Sequence, residues 1–311
     1  MMPAAVSRNN RLDGMKFVLI CMVILGHFSY YDFRLGINRL IYAFHMPMFV
    51  MISGYLTHPQ SFARFKRSSL KLLALYLIFQ TGHLVYNTLV KGIPFSLEGY
   101  MNPALALWYL LSLFFWRCSY RLFRPMGIKP LYALVISLLL AVLAGFIPMG
   151  DECLAFQRPF SFLPFFVFGL MLKDKALLNK INQLSIPLMA GLLLLALVSA
   201  RLLPNFMPSS PYKVWNDSIL RLIQSVIAFV ICMGMIRFFP RRVPGAISLL
   251  GQWTLYYYLY HTFMVKGLED TFWQYHIGLN VFSALFLSFV IILIITAMHR
   301  VKIFRILLLE R

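Results

Sequence analysis

Apolar residues run along this chain in long blocks, and each block closes on a short polar stretch that carries charge. The segment KFVLICMVILGH at 16–27 shows the pattern: a lysine, ten largely apolar positions, then histidine. The blocks predict helices at about 15–31, 38–57, 70–90, 104–123, 130–149, 159–173, 184–203, 214–238, 247–266 and 278–299. Most of them approach the roughly 20 apolar residues that a helix needs to cross the hydrocarbon of a bilayer. The expected fold is therefore all-α, a polytopic membrane protein with about ten transmembrane helices. No repeat, low-complexity tract or linker divides it, so one membrane domain is expected over residues 1–311. The weakest spans are 159–173, which is short, and the one that contains Pro187.

Composition agrees with lipid as the solvent. The chain is 60% hydrophobic and only 13% charged, with a mean hydropathy of +0.76, whereas about a quarter of a globular chain is charged. A net charge of +19 in a soluble protein points to nucleic acid, but its distribution here is topological. The loops on the N-terminal side hold 21 of the 29 basic residues, and the opposite loops hold seven of the ten acids. By the positive-inside rule both termini are cytoplasmic and the protein is a multi-pass resident of the cell inner (plasma) membrane. Membrane lipid is then a partner and nucleic acid is not. The first apolar segment is expected to be an uncleaved anchor. Cys21, Cys118, Cys153 and Cys232 are scattered without a CxxC spacing, so neither a disulfide framework nor a zinc site is indicated.

Ionisable residues inside a membrane are costly, which makes each of them a candidate for function. On the predicted spans His27, His45, His83 and His261 fall one to two turns from the outer helix ends, in the outer third of the bilayer. Any one of them can be satisfied by a backbone carbonyl, the preferred reading for His83. As a set they suggest a shared site facing the outer compartment, because imidazole takes and returns a proton near neutral pH. Lys16 and His27 share a helix face, since eleven residues at about 100° each exceed three full turns by about 20°. They stand about 16 Å apart along the axis. A ligand with an anionic head and a reactive group on an extended arm, such as a coenzyme A thioester, can touch both; a plain topology charge is the alternative for Lys16.

These residues resemble a known family. RLDGMKFVLICMVILGH (11–27) followed by IYAFHMPMFVMISGYL (41–56), and then ALWYLLSLFFWR (106–117), RPFSFLPFFVFGLMLK (158–173) and YYLYH (257–261), are together similar to the integral-membrane acyltransferase family type 3. The branch of fucose 4-O-acetylase-like proteins is the most similar. The resemblance implies ten transmembrane helices and transfer of an acyl group, most often acetyl from cytoplasmic acetyl-CoA, to a hydroxyl of an envelope polysaccharide or other extracytoplasmic glycan. Its basic-x10-His motif falls on Lys16 and His27, with His27 catalytic. Many members carry arginine at the basic position, and lysine lacks arginine's bidentate grip on phosphate. Many relatives also carry an extra soluble domain; here acceptor specificity is expected to reside in the membrane domain or in a partner.

Roles follow from that resemblance and from position. His27 is the general base on the acceptor hydroxyl, or the carrier of an acyl group in a two-step route. His45, two residues before Pro47, orients His27, binds acceptor, or packs at a kink. Lys16, Arg117 and Arg67 are candidates for the donor phosphates. Arg158, Arg221, His261 and Trp108 are candidates for the acceptor. For Arg221 a structural pair with Asp217, four residues earlier, is the stronger reading, and for Trp108 an interfacial membrane anchor. Ser53-Gly54 is read as a point of close helix approach. No metal-ligand arrangement is evident and no tightly bound cofactor is expected, acetyl-CoA being a co-substrate. The rival function is a proton-coupled transporter or flippase of a glycan or lipid-linked substrate, although matching broken helices in two halves are not apparent. The sequence leaves the oligomeric state open.

Overall fold

The computed structural model describes residues 9–29, 37–150, 152–203, 210–276 and 278–309. Among them the chain is all-helical, with 79% in helix and no strand. The helices are α1 Asn10–Ser29, α2 Ile37–Leu56, α3 Phe62–Lys91, α4 Trp108–Phe123, α5 Pro130–Ala144, α6 Gln157–Ser161, α7 Leu163–Met171, α8 Lys175–Gln183, α9 Ile186–Leu202, α10 Asn216–Phe238, α11 Gly245–Gln252, α12 Thr254–Gln274, α13 Val281–Met298 and α14 Lys302–Leu307. By length and composition α3, α10 and α13 can each cross a membrane, and the pair α8 and α9, bent by 89°, adds a fourth span if counted as one. Rows of exposed apolar side chains, such as Phe282, Phe286, Phe289 and Leu293 on α13, suit contact with lipid. The chain is a helical membrane protein.

Local chemistry sets the helix ends. Ser61 caps α3 by accepting from the Arg64 amide, and Gly92 ends it at φ +66°, a conformation glycine reaches without a Cβ penalty. Asn280 and Ser283 form a reciprocal capping box on α13. Pro187 sits in the first turn of α9, where its missing amide proton would have no helical partner anyway. It therefore starts a helix and does not interrupt one. Pro47 lies inside α2, which runs through it.

Three expected boundaries are corrected. The segment expected as one helix at 159–173 is broken at Phe162 into α6 and α7. The one expected at 247–266 is broken at Trp253 into α11 and α12, and α12 continues to Gln274. It continues because its late charges are compensated across the packing: Lys91 of α3 pairs with Asp270 at 2.7 Å. The helix expected from 104 begins at Trp108, because residues 99–104 fold back against α3. There the buried Gln80 donates to the carbonyls of Gly99 (2.7 Å) and Asn102 (2.9 Å) and accepts from the Ala104 amide (2.9 Å). Gln80 lies eleven residues before the end of α3, about 16 Å along its axis, so α4 starts deep in the protein.

Two buried clusters meet along α1 and α4. One joins α2, α7 and α10 around Met48, Phe166 and Ile231; the other joins α1, α3, α12 and α13 around Ile24, Leu75 and Leu259. Helix α2 crosses α7 at a pair of glycines. A Cβ on Gly54 would meet the Phe166 carbonyl oxygen at 2.0 Å, and one on Gly169 the Met51 oxygen at 2.0 Å. Small residues allow backbones to approach this closely in membranes. Helix ends carrying Arg11, Arg121, Lys173 and Arg237 are tied by hydrogen bonds to neighbouring carbonyls and form one basic face.

Candidate active site

Helices α1, α2 and α12 bring three histidines together. The rings of His27 and His261 have centroids 5.4 Å apart, and His45 and Arg158 lie within electrostatic reach of His27. His45 and His261 are held alike. Nδ1 of His45 donates to the Ile41 carbonyl (2.6 Å) and Nδ1 of His261 to the Tyr257 carbonyl (2.9 Å), each four residues back on its own helix. A carbonyl only accepts, so each Nδ1 carries a proton and each neutral ring presents the Nε2 lone pair. His261 is fully buried, and its Nε2 has no hydrogen-bond partner among the described residues.

His83 behaves differently. Thr262 gives its hydroxyl proton to the Leu259 carbonyl (2.7 Å), so His83 Nε2 donates to Thr262 Oγ1 (3.0 Å). Its ring lies flat on Phe263, with centroids 4.1 Å apart. His83 is thus packed into the α3–α12 contact, and its partner is the Thr262 hydroxyl in place of the backbone carbonyl expected. The depth expected for His261 is corrected: with α12 ending at Gln274, thirteen residues or about 20 Å of helix continue beyond it.

Arg158 is placed by its neighbours in sequence. Gln157, fully buried, donates to the carbonyls of Ala144 (2.8 Å), the last residue of α5, and of Ile147 (2.9 Å) just after it, while Trp116 Nε1 of α4 donates to the Pro159 carbonyl (2.7 Å). With α6 pinned on both sides, the Arg158 guanidinium lies 4.8 Å over the Trp108 ring. The approach to α6 is strained, with Leu154 at φ +53° and Ala155 at φ +54°, and such residues persist only where their surroundings hold them. Trp108 is 5% exposed and also stacks on Phe162 at 5.3 Å. The anchor reading is therefore corrected: Trp108 is an interior platform for Arg158, with little ring surface left for a sugar.

Other expected site residues are dispersed. Arg221 is buried and spends its donors on the carbonyls of Ala141 (2.9 Å) and Ser210 (2.7 Å) and on Gln157 Oε1 (3.3 Å), with its guanidinium 4.5 Å from the centre of the Tyr212 ring. It is a structural clamp between α5 and α10. The expected Asp217 partnership is weaker than this, because Asp217 accepts the amides of Lys213 and Val214. Lys16 pairs with Asp13 at 2.7 Å, a partner three residues away that the spacing could have revealed. Arg67 is exposed in the second turn of α3, and Arg117 lines a cavity at the basic face. Among the described residues no group of three or more His, Cys, Asp or Glu is arranged to hold a metal ion.

An all-helical membrane protein with facing imidazoles and a positioned guanidinium in its interior has the groups for proton transfer and anion stabilisation. The model of the acyltransferase domain family matches residues 9–300, nearly the whole chain. The protein belongs to acyltransferase family 3 and is a membrane acyltransferase. No curated protein and no solved structure matches it.

Proposed function

We propose that the protein moves an acetyl group from cytoplasmic acetyl-CoA to a hydroxyl of an extracytoplasmic glycan or envelope polysaccharide, as a member of the fucose 4-O-acetylase-like branch. In this reading residues 1–311 form one domain in the inner (plasma) membrane. It crosses about ten times, with both termini in the cytoplasm, and the sorting of basic and acidic loops supports that orientation. Acetyl-CoA is a co-substrate and no bound cofactor takes part.

The observation that carries the reading is the His27–His261 pair, in which the buried Nε2 of His261 has no hydrogen-bond partner among the described residues. Unsatisfied buried polar atoms are few in native proteins and call for an explanation. A reacting hydroxyl supplies one. His27 takes the hydroxyl proton as the oxygen forms a bond to the thioester carbonyl carbon, and the carbonyl electron pair moves onto oxygen. Arg158, close to His27, offsets that negative charge. Collapse breaks the C–S bond, and the departing thiolate takes the proton back from His27. His261 Nε2, which carries no proton, can accept the other N–H of His27 when the ring turns toward it and so fix its tautomer, the part a carboxylate plays in hydrolytic triads. His45 orients the acceptor from the opposite helix.

The test supplies purified protein with labelled acetyl-CoA and candidate glycans and compares wild type with His27→Ala. Loss of labelled glycan in the variant is expected. Transfer at the wild-type rate would reject this role for His27, and uptake of glycan without acetylation would favour the transporter.

A further inference from the structure

A cavity of about 230 Å3 opens on the basic face between the α2–α3 turn and the end of α4. His58, Gln60, Arg117, Tyr120, Arg121 and Arg124 line it, and none of its lining residues is a carboxylate. The arginines follow one face of α4 at spacings of four and three, an arrangement in which like charges repel. Arg121 is held in place by donating to the Gln60 carbonyl (3.1 Å) and by lying 5.2 Å from the ring centres of Phe62 and Phe65. A further cation stands beside the cavity: Lys173 Nζ donates to the Thr57 carbonyl and lies 5.6 Å from the centre of the Tyr120 ring. Converging guanidinium groups without an acid favour a ligand with several phosphate oxygens, which their planar forks grip in pairs.

The position of the cavity narrows the ligand. Thr57 lies twelve residues after His45 on α2, about 18 Å along the axis, and Arg117 nine residues after Trp108 on α4, about 14 Å. A ligand serving both places carries its phosphates at one end and its reactive group at the end of a long arm. Between the two places the side chains pack ring to ring: Tyr109 to Tyr258 (5.7 Å), Tyr258 to His261 (6.2 Å), then His261 to His27. Tyr109 is latched to Ser53, with the two hydroxyls 2.6 Å apart, and Arg117 lies within electrostatic reach of its hydroxyl. Lys16 offers much less, since Asp13 neutralises it at 2.7 Å. We infer that the Arg117–Arg121–Arg124 cavity, and not Lys16, holds the phosphates of an acyl-CoA donor, whose arm rises between α2 and α4 past Tyr109. This rests on the reading of the protein as a CoA-dependent acyltransferase.

The experiment measures binding to purified protein in phosphatidylcholine nanodiscs by calorimetry, with coenzyme A, its analogue lacking the 3′-phosphate, and pantetheine. The protein is wild type, Lys16→Met, Arg121→Gln/Arg124→Gln, or Arg121→Lys/Arg124→Lys. Coenzyme A should bind tenfold or more weakly to the glutamine double variant, and the lysine double variant should restore most of the loss. Lys16→Met should stay within about twofold of wild type, and pantetheine should not distinguish the proteins. Equal melting temperatures among the variants show that the fold is kept. The assignment is overturned if Lys16→Met alone weakens coenzyme A. It is equally overturned if coenzyme A fails to bind while phosphatidylglycerol in the nanodisc raises the melting temperature in an Arg121- and Arg124-dependent way, because the phosphate is then a lipid headgroup. Arginine-dependent binding of coenzyme A without any acetyl transfer upholds the cavity and defeats the proposed reaction. Transfer with an acetyl-CoA KM that ignores these arginines does the reverse.

Discussion

The imidazoles of His27 and His261 face each other from α1 and α12 with ring centroids 5.4 Å apart, and the carbonyl of Tyr257 fixes the tautomer of the second. Because Nδ1 of His261 is committed to that carbonyl, the only nitrogen it presents to His27 is an acceptor. The pair is therefore directional: His27 can donate to His261, and its remaining nitrogen is the one available to a substrate.

Replacing His261 separates an orienting role from a merely space-filling one. Phenylalanine keeps the volume and removes the lone pair, and should lower kcat by about a hundredfold, within the span general-base assistance covers, with the KM for acetyl-CoA unchanged. Glutamine places an amide oxygen near the position of Nε2 and should recover most of the rate. Steady-state kinetics on the two variants decide the matter; equal losses in both reduce His261 to packing.

The guanidinium over Trp108 makes a different prediction. If Arg158 offsets charge on the tetrahedral intermediate, Arg158→Met should reduce kcat by about 10²–10³, the usual cost of one oxyanion donor. Arg158→Lys keeps the charge but loses the planar fit over the indole and should fall in between. A change confined to the KM of the acceptor glycan would instead make Arg158 a binding residue.

How much of this was legible in the chain depends on the kind of information. Helix positions follow from apolar periodicity, which is local, and α2, α10 and α13 lie close to their expected ranges. The breaks at Phe162 and Trp253 were only faintly legible: Pro164 starts α7 and Gly251-Gln252 ends α11, but such residues are also tolerated inside membrane helices, so the apolar blocks read as continuous. The histidines could be nominated by their cost in lipid, but that His83 pairs with Thr262 while His261 faces His27 depends on how α12 is rotated against α1 and α3. Arg158 and Arg221 look alike as intramembrane cations. Only their contacts show that Arg221 is held by the distant carbonyls of Ala141 and Ser210 and that Arg158 lies over Trp108 within electrostatic reach of His27.

That contrast is testable in Arg221. Its guanidinium donates to carbonyls on both sides of the α5–α10 contact, and hydrogen bonds to a charged group contribute about 1.5–3 kcal/mol each. Arg221→Met leaves those buried carbonyls unpaired and should destabilise the fold by about 3–5 kcal/mol. Thermal unfolding in detergent should show a clearly lower midpoint, while the protein that remains folded keeps the wild-type KM for both substrates. An unchanged midpoint together with a raised acceptor KM would return Arg221 to the binding site.

His58, in the turn between α2 and α3, gives the cavity a pH signature. Burial, with Lys173 nearby, holds its imidazole below the ordinary histidine range, so at neutral pH the empty protein carries it uncharged. Among the described residues, the charged groups that line the cavity with it are Arg117, Arg121 and Arg124 from α4, all cationic, and Lys173 after α7 stands beside it. A phosphate-bearing ligand reverses the local field and raises the pKa in the complex. Binding must then take up protons, and the contribution of His58 to affinity grows as pH falls through its value in the complex and disappears above it. Because phosphate groups titrate in the same region, the comparison is between wild type and His58→Gln. Calorimetry in two buffers of different ionisation enthalpy should show more proton uptake on coenzyme A binding for the wild type, and identical uptake in the two proteins would place the phosphates elsewhere.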